Sequence, residues 1–248
     1  MDWCKPSKLC RVKTPYGIAE GKTCPLGPEV NRLVTVEDFE RIAEKGVVEP
    51  NKYTGVVSLS SCPTQTYGGT VRLVFDTEKI KDKLIPMCYV PSNNKVMCKI
   101  DKEANKLINK GIPRALDCIR AKYAVSPDLY AKECEYESRQ PIPLKETLKR
   151  VEYWIGGFPN SFNISCEIQI PHRAGDWIGI DEYLEQMQKT RKIAEKLGVP
   201  FQVKSCFNKL MVSWNKAIEL TPENLKKLAE GKLPEPKPAD EIPETCNC

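Results

Sequence analysis

Asn31-Arg-Leu-Val-Thr-Val-Glu-Asp-Phe-Glu-Arg-Ile-Ala-Glu-Lys-Gly46 decides the fold class. Thr35, with Asp38 three residues on, approximates a capping box. Phe39, Ile42 and Ala43 then form one apolar stripe at helical spacing, and Gly46 supplies a stop, so the stretch predicts a helix of about three turns. Immediately outward the period changes. Residues 56–60 alternate apolar and polar side chains, and 70–76 do the same behind Gly68-Gly69, which predicts two strands. A capped helix followed by alternating strands places the chain in the α+β class.

The same reading carried further predicts a short helix over 78–84, a strand over 95–100 and a helix over 102–109, broken by Gly111-Ile-Pro113. Strands follow at 148–155, 162–170 and 201–206, with the longest helix at 180–197 and a last helix at 222–230. Residues 1–30, with four prolines and no periodicity, read as an irregular arm. The body is expected to be α+β on a split, mostly antiparallel sheet over 31–230, with a subdivision near 156. A proline-rich tail over 231–248 is expected to stay extended.

Composition narrows the chemistry. The 248 residues carry 38 Lys and Arg against 33 Asp and Glu, a net charge of +5 spread along the chain, so no basic footprint marks a dedicated nucleic-acid binder. The single histidine, His172, excludes poly-histidine metal sites and HExxH hydrolases. Twelve cysteines contain no Cys-x2-Cys pair, so zinc-ribbon and thioredoxin readings fail and no metal is expected. The start lacks the basic and apolar regions of a secretory signal, and no stretch reaches membrane-spanning length. A cytoplasmic protein without membrane contact is therefore expected. Its cysteines at 62, 88, 98, 118, 134, 166 and 206 then read as buried thiols, or as disulfides if the source is a hyperthermophile.

Three segments place polar side chains at period two on elements otherwise built for burial. In the first, Arg32 offers a guanidinium fork for a phosphate or carboxylate, against the plainer role of a surface ion pair. In the second, Val57 and Leu59 point one way while Ser58 and Ser60 point the other, toward a ligand or toward water. The third is Glu133-Cys-Glu-Tyr-Glu-Ser-Arg139. As a strand it sets three carboxylates on one face, a repulsive arrangement that raises at least one pKa; as a helix it stacks Glu133 over Glu137 as a solvated face. Periodicity leaves both open.

Taken together, the arginine and threonine before a capped helix, the Ser-x-Ser strand and the later Glu-x-Glu resemble the Arg-Ser-Glu arrangement of ADP-ribosyltransferases. The stretch from about residue 31 to 215 is also similar to uncharacterised phage and viral proteins. The resemblance implies NAD as cofactor, with Arg32, Thr35, Ser58 and Ser60 on the cofactor side and Glu135 or Glu137 as the catalytic carboxylate. It implies transfer of ADP-ribose to a macromolecular acceptor, protein or nucleic acid. Such a reaction needs a carboxylate beside a developing oxocarbenium ion and an oriented nucleophile, neither of which calls for histidine or metal. The alternative is a non-catalytic structural or interaction protein on the same sheet.

Overall fold

Residues 4–62, 70–155, 180–213 and 215–243 are described by the computed structural model. The strand expected at 162–170, the boundary near 156, His172, Cys166, Cys246 and Cys248 lie outside them.

Strands β1 (Lys8–Thr14) and β2 (Gly17–Thr23) pair antiparallel through a two-residue turn, Thr14 facing Gly17. This hairpin replaces the irregular arm expected for the N-terminus. Its inward face is only Cys10, Val12 and Ala19, packed on the helix described below, too short a pattern to rise above the prolines around it. Strand β3 (Glu29–Val34) leads into α1 (Val36–Lys45), whose first turn is capped by the Thr35 hydroxyl accepting from the Asp38 N–H at 3.1 Å. The predicted stop at Gly46 holds, with the backbone there in the left-handed region at φ +67°. Strands β4 (Val47–Val48), β5 (Val57–Ser60) and β6 (Val71–Asp76) follow, the last two where alternation placed them.

Two short 3-10 turns, Thr77–Lys79 and Lys81–Lys83, stand in for the helix expected over 78–84. After β7 (Ile85–Pro86) and β8 (Cys88–Val90), the strand expected at 95–100 is the first half of a helix, α2 (Lys95–Asn109). The Asn94 side chain caps it by accepting from the Val96 N–H at 2.8 Å. Val96, Met97, Ile100 and Ala104 are its buried positions, a helical spacing that outweighs the β-branched look of the segment's start. Helix α3 (Ala115–Tyr123), β9 (Val125–Pro127), a 3-10 segment Asp128–Glu133 and β10 (Glu135–Ser138) come next. The acidic segment is thus a strand only from Glu135, entered through Cys134 at φ 44°; Glu133 ends the 3-10 segment, so two carboxylates rather than the expected three share the strand face. Then come β11 (Ile142–Pro143), β12 (Leu148–Ile155), α4 (Ile180–Lys196), β13 (Phe201–Ser205), β14 (Lys209–Met211), β15 (Lys216–Glu219), α5 (Pro222–Ala229) and β16 (Lys237–Pro238). The tail departs from the expectation at β16, which pairs with β15 through Ala217 and Lys237.

These elements form an α+β structure in two compact units, each assembled from separated stretches of chain. Unit 1 takes residues up to Arg32, then 45–64 and 75–147; unit 2 takes 33–44, 65–74 and 148–248. In unit 1, one sheet has the order β1-β2-β8-β9 and lays one face on α2, burying Ala19, Val90, Met97, Ile100 and Val125. A second set of unit 1 strands runs β3-β5-β10-β7, antiparallel where the register is given, and β4 pairs antiparallel with β11. In unit 2, β13 lies parallel to β12, and α4 packs against both, with Tyr153 and Gln186 bonded at 3.2 Å.

Unit 1 is stapled by Cys4–Cys62, Cys10–Cys88 and Cys24–Cys134, with Cα separations of 5.5, 6.0 and 5.5 Å. Cys206 is disulfide-bonded as well. The expected buried thiols at 62, 88, 134 and 206 are therefore oxidised, and of the other two described positions Cys98 is an exposed thiol and Cys118 a partly exposed one. Sequence spacing cannot specify such connectivity, because all three partners come from the arm that carried no pattern.

Gly21 on β2 sits tightly against β8: a Cβ there would overlap the Tyr89 carbonyl oxygen and crowd the Val90 Cα at 3.1 Å. Backbone cannot yield as a flexible side chain can. Gly21→Ala is therefore expected to lower stability by about 2 kcal/mol or more, measured by denaturant unfolding, while Gly46→Ala, with open space around the Cβ, costs about 1 kcal/mol for its positive φ.

Candidate functional site

Strand β5 lies between β3 and β10, so the three polar segments become neighbours in unit 1. Antiparallel register sets Ser60 opposite Glu135 and Ser58 opposite Glu137, with Leu59 opposite Tyr136 on the other face. Tyr136 is buried and its hydroxyl donates to the Pro25 carbonyl at 2.8 Å, beside the Cys24–Cys134 bridge. The strip is thus anchored from its apolar side.

On the third strand the register brings Asn31, not Arg32, opposite Ser60. The Asn31 amide donates to the carbonyls of Ser60 at 2.7 Å and Cys62 at 3.2 Å. Arg32, one residue on, belongs by alternation with the Leu59 face, and its guanidinium donates to the Ser58 backbone carbonyl at 2.9 Å. Thr35 belongs to unit 2, where it is exposed and serves as the α1 cap.

The serines differ. Ser58 is exposed, whereas Ser60 is buried and its hydroxyl is taken up by the chain, donating to the Glu133 carbonyl and accepting from the Cys62 N–H at 3.1 Å. The glutamates differ likewise: Glu137 is 4% exposed and its Oε2 has no hydrogen-bond partner among the described residues, while Glu135 is partly exposed. Burial pushes the Glu137 carboxyl up to about 8, the Glu135 charge adds to this, and Arg139 opposes it. Burial also raises Glu133 to about 8 and raises Glu135, and these two carboxyls lie within hydrogen-bonding reach of each other. Arg120 draws Glu135 back toward ionisation, and the Glu135 N–H donates to the Tyr89 hydroxyl at 2.6 Å.

Asn31, Tyr89 and Arg120 escaped the sequence reading. Asn31 had a signal, a carboxamide one residue from the chosen arginine on the same buried strand; Tyr89 and Arg120 arrive from distant elements and had none.

Unit 2 holds a separate concentration of charge. Glu152, fully buried on β12, accepts from Arg72 at 3.0 Å, Arg150 at 2.7 Å, Lys204 at 2.9 Å and the Trp154 indole at 2.9 Å. Burial alone would raise its carboxyl, but the three cations more than offset this and hold it below the usual range. A charge inside each of two apolar strands, Arg72 and Glu152, was the available signal. Among the described residues no group of His, Cys, Asp or Glu could hold a metal ion, and no helix is long and apolar enough to cross a membrane.

No family model matches the chain. No curated protein matches it either.

Proposed function

We propose that the chain is an ADP-ribosyltransferase-like enzyme that uses NAD to modify a macromolecular acceptor, protein or nucleic acid. The observation that supports this is strand adjacency: Arg32, the Ser58/Ser60 pair and the Glu135/Glu137 pair lie on three neighbouring strands. The fit to the dinucleotide rests on Ser58, which is exposed, on the partly exposed Arg32 and on Glu135, the reachable glutamate. Bound NAD supplies a glycosidic bond whose cleavage releases nicotinamide and leaves the ribose carbon open to the acceptor. Arg32 is assigned to the phosphates, exchanging its bond to the Ser58 carbonyl for a charge-assisted one. Glu135 is assigned to the positive charge that develops on the sugar, which requires its ionised form. Ser60 and Glu137, both buried, support the strand geometry.

A second reading, a non-catalytic interaction protein, is favoured by one observation: the Ser60 hydroxyl and the Asn31 amide are spent on the chain's own carbonyls. Calorimetric titration with NAD and an assay of nicotinamide release separate the two. The enzyme reading expects binding that Arg32→Ala weakens by about 10- to 100-fold. It also expects release that Glu135→Gln abolishes and Glu137→Gln does not. No heat at millimolar NAD leaves the interaction protein standing.

The expectation of a cytoplasmic location gives way, in this proposal, to an oxidising setting. Three disulfides within one unit support it, since such bonds persist where thiols are not kept reduced.

A further inference from the structure

The outer face of the β1-β2-β8 sheet, opposite the one packed on α2, carries a cavity of about 710 Å3 within unit 1. None of Arg32, Ser58, Ser60, Glu135 or Glu137 lines it. Cross-strand register explains its composition: Leu9 faces Lys22 and Lys22 faces Tyr89, so these three make one row across the three strands. Arg11 and Glu20 make the next row and are bonded to each other at 2.8 Å. Pro6, Pro91 and Ala131 close the sides.

We propose that this cavity binds an organic anion with an apolar body, its acidic group held by Lys22. The volume lies within the range of about 300 to 1,000 Å3 typical of small-molecule sites. Leu9 is 87% exposed, an apolar side chain left in water at the cavity mouth that a ligand body would cover. Arg11 and Glu20 neutralise each other, and the Asp128 carboxylate accepts from the Ser92 hydroxyl at 2.8 Å and the Ser92 N–H at 3.3 Å. Of the two lining cations, Lys22 makes no ion pair among the described residues and is the one left for an anion, the Asp128 charge being held by the Ser92 donors. The floor is preformed, because Tyr89 is 2% exposed and its hydroxyl is held by the Glu135 N–H, while the Cys10–Cys88 bridge fixes β1 to β8 beneath it. A preformed pocket loses little ordering entropy on binding.

The test uses 8-anilinonaphthalene-1-sulfonate, an aromatic anion that fluoresces in apolar surroundings, and the uncharged N-phenyl-1-naphthylamine as its neutral counterpart. The full chain is expected to bind one sulfonate saturably. Lys22→Gln is expected to weaken the sulfonate about tenfold and leave the neutral dye unchanged. Leu9→Asp is expected to abolish binding of both. Both positions are exposed, so neither variant disturbs the core; unchanged unfolding midpoints confirm this before the dyes are compared. Absence of saturable binding, or binding that both variants leave untouched, overturns the proposal. So does an equal loss of both dyes in Lys22→Gln, which would remove the charge from the account. None of these outcomes depends on NAD.

Discussion

Reduction of the disulfides is expected to produce the largest loss of stability. The bridges Cys4–Cys62, Cys10–Cys88 and Cys24–Cys134 span 58, 78 and 110 residues, all inside unit 1. By loop-closure entropy each removes about 4 to 5 kcal/mol from the unfolded state, although the loops overlap and the contributions do not simply add. A domain is stable by only about 5 to 15 kcal/mol in total, so losing all three is comparable with the whole margin. Cys24→Ser with Cys134→Ser isolates the longest loop. It is expected to lower the stability of unit 1 by about 3 to 5 kcal/mol, read as a shift in denaturant midpoint under non-reducing conditions. It should also loosen the edge on which β10 depends, since the Tyr136 hydroxyl donates to the Cys24 and Pro25 carbonyls next to the bridge. A midpoint unmoved by full reduction would show that the hydrophobic core alone carries unit 1.

The disulfides also mark where the sequence ceases to be legible. Helix α1, β5, β6, β12, α4, β13 and α5 stand where capping, alternation and helical spacing placed them, although β6 is buried on both faces, Arg72 included. The N-terminal hairpin does not announce itself in this way. Its buried face is narrow, Gly21 interrupts its second strand, and part of what holds it is the covalent link from Cys10 to Cys88. The opening of α2 misled for another reason: Lys-Val-Met-Cys-Lys-Ile is a short apolar run with β-branched ends, and only the cap at Asn94 and the helical spacing of Val96, Met97, Ile100 and Ala104 reveal the helix. For the candidate site, the segments could be named from period-two polarity, but the register between strands could not. A one-residue step decides that Asn31 rather than Arg32 faces Ser60, and pairing geometry alone determines that step.

Glu137 offers the second large effect, one whose sign depends on pH. Its carboxyl is pushed up to about 8 in the folded chain, first by burial and then by Glu135, whereas in the unfolded chain it titrates near the ordinary value of about 4.3. Between these limits the folded state holds a proton that the unfolded state has lost. Stability contributed by that proton is complete below pH of about 4.3 and is lost as the pH rises through about 8. The slope is about 1.4 kcal/mol per pH unit, so the wild type is expected to lose about 5 kcal/mol from this group alone across the window. Glu137→Gln keeps the shape and cannot ionise. It is expected to lie close to the wild type at pH 5 and to have gained about 4 kcal/mol over it by pH 9, read from urea unfolding at the two pH values. Glu133, also raised to about 8, keeps a residual slope in the variant, so the curves should converge in acid and diverge in base without the variant's becoming flat. Parallel curves would mean that the Glu137 carboxylate finds, in solution, a partner for the Oε2 that lacks one here. The unpartnered oxygen explains why a neutral amide is the better tenant at high pH: a buried ionised carboxylate with one oxygen unsatisfied bears a desolvation cost that no neighbouring cation cancels, Arg139 offsetting only part of it.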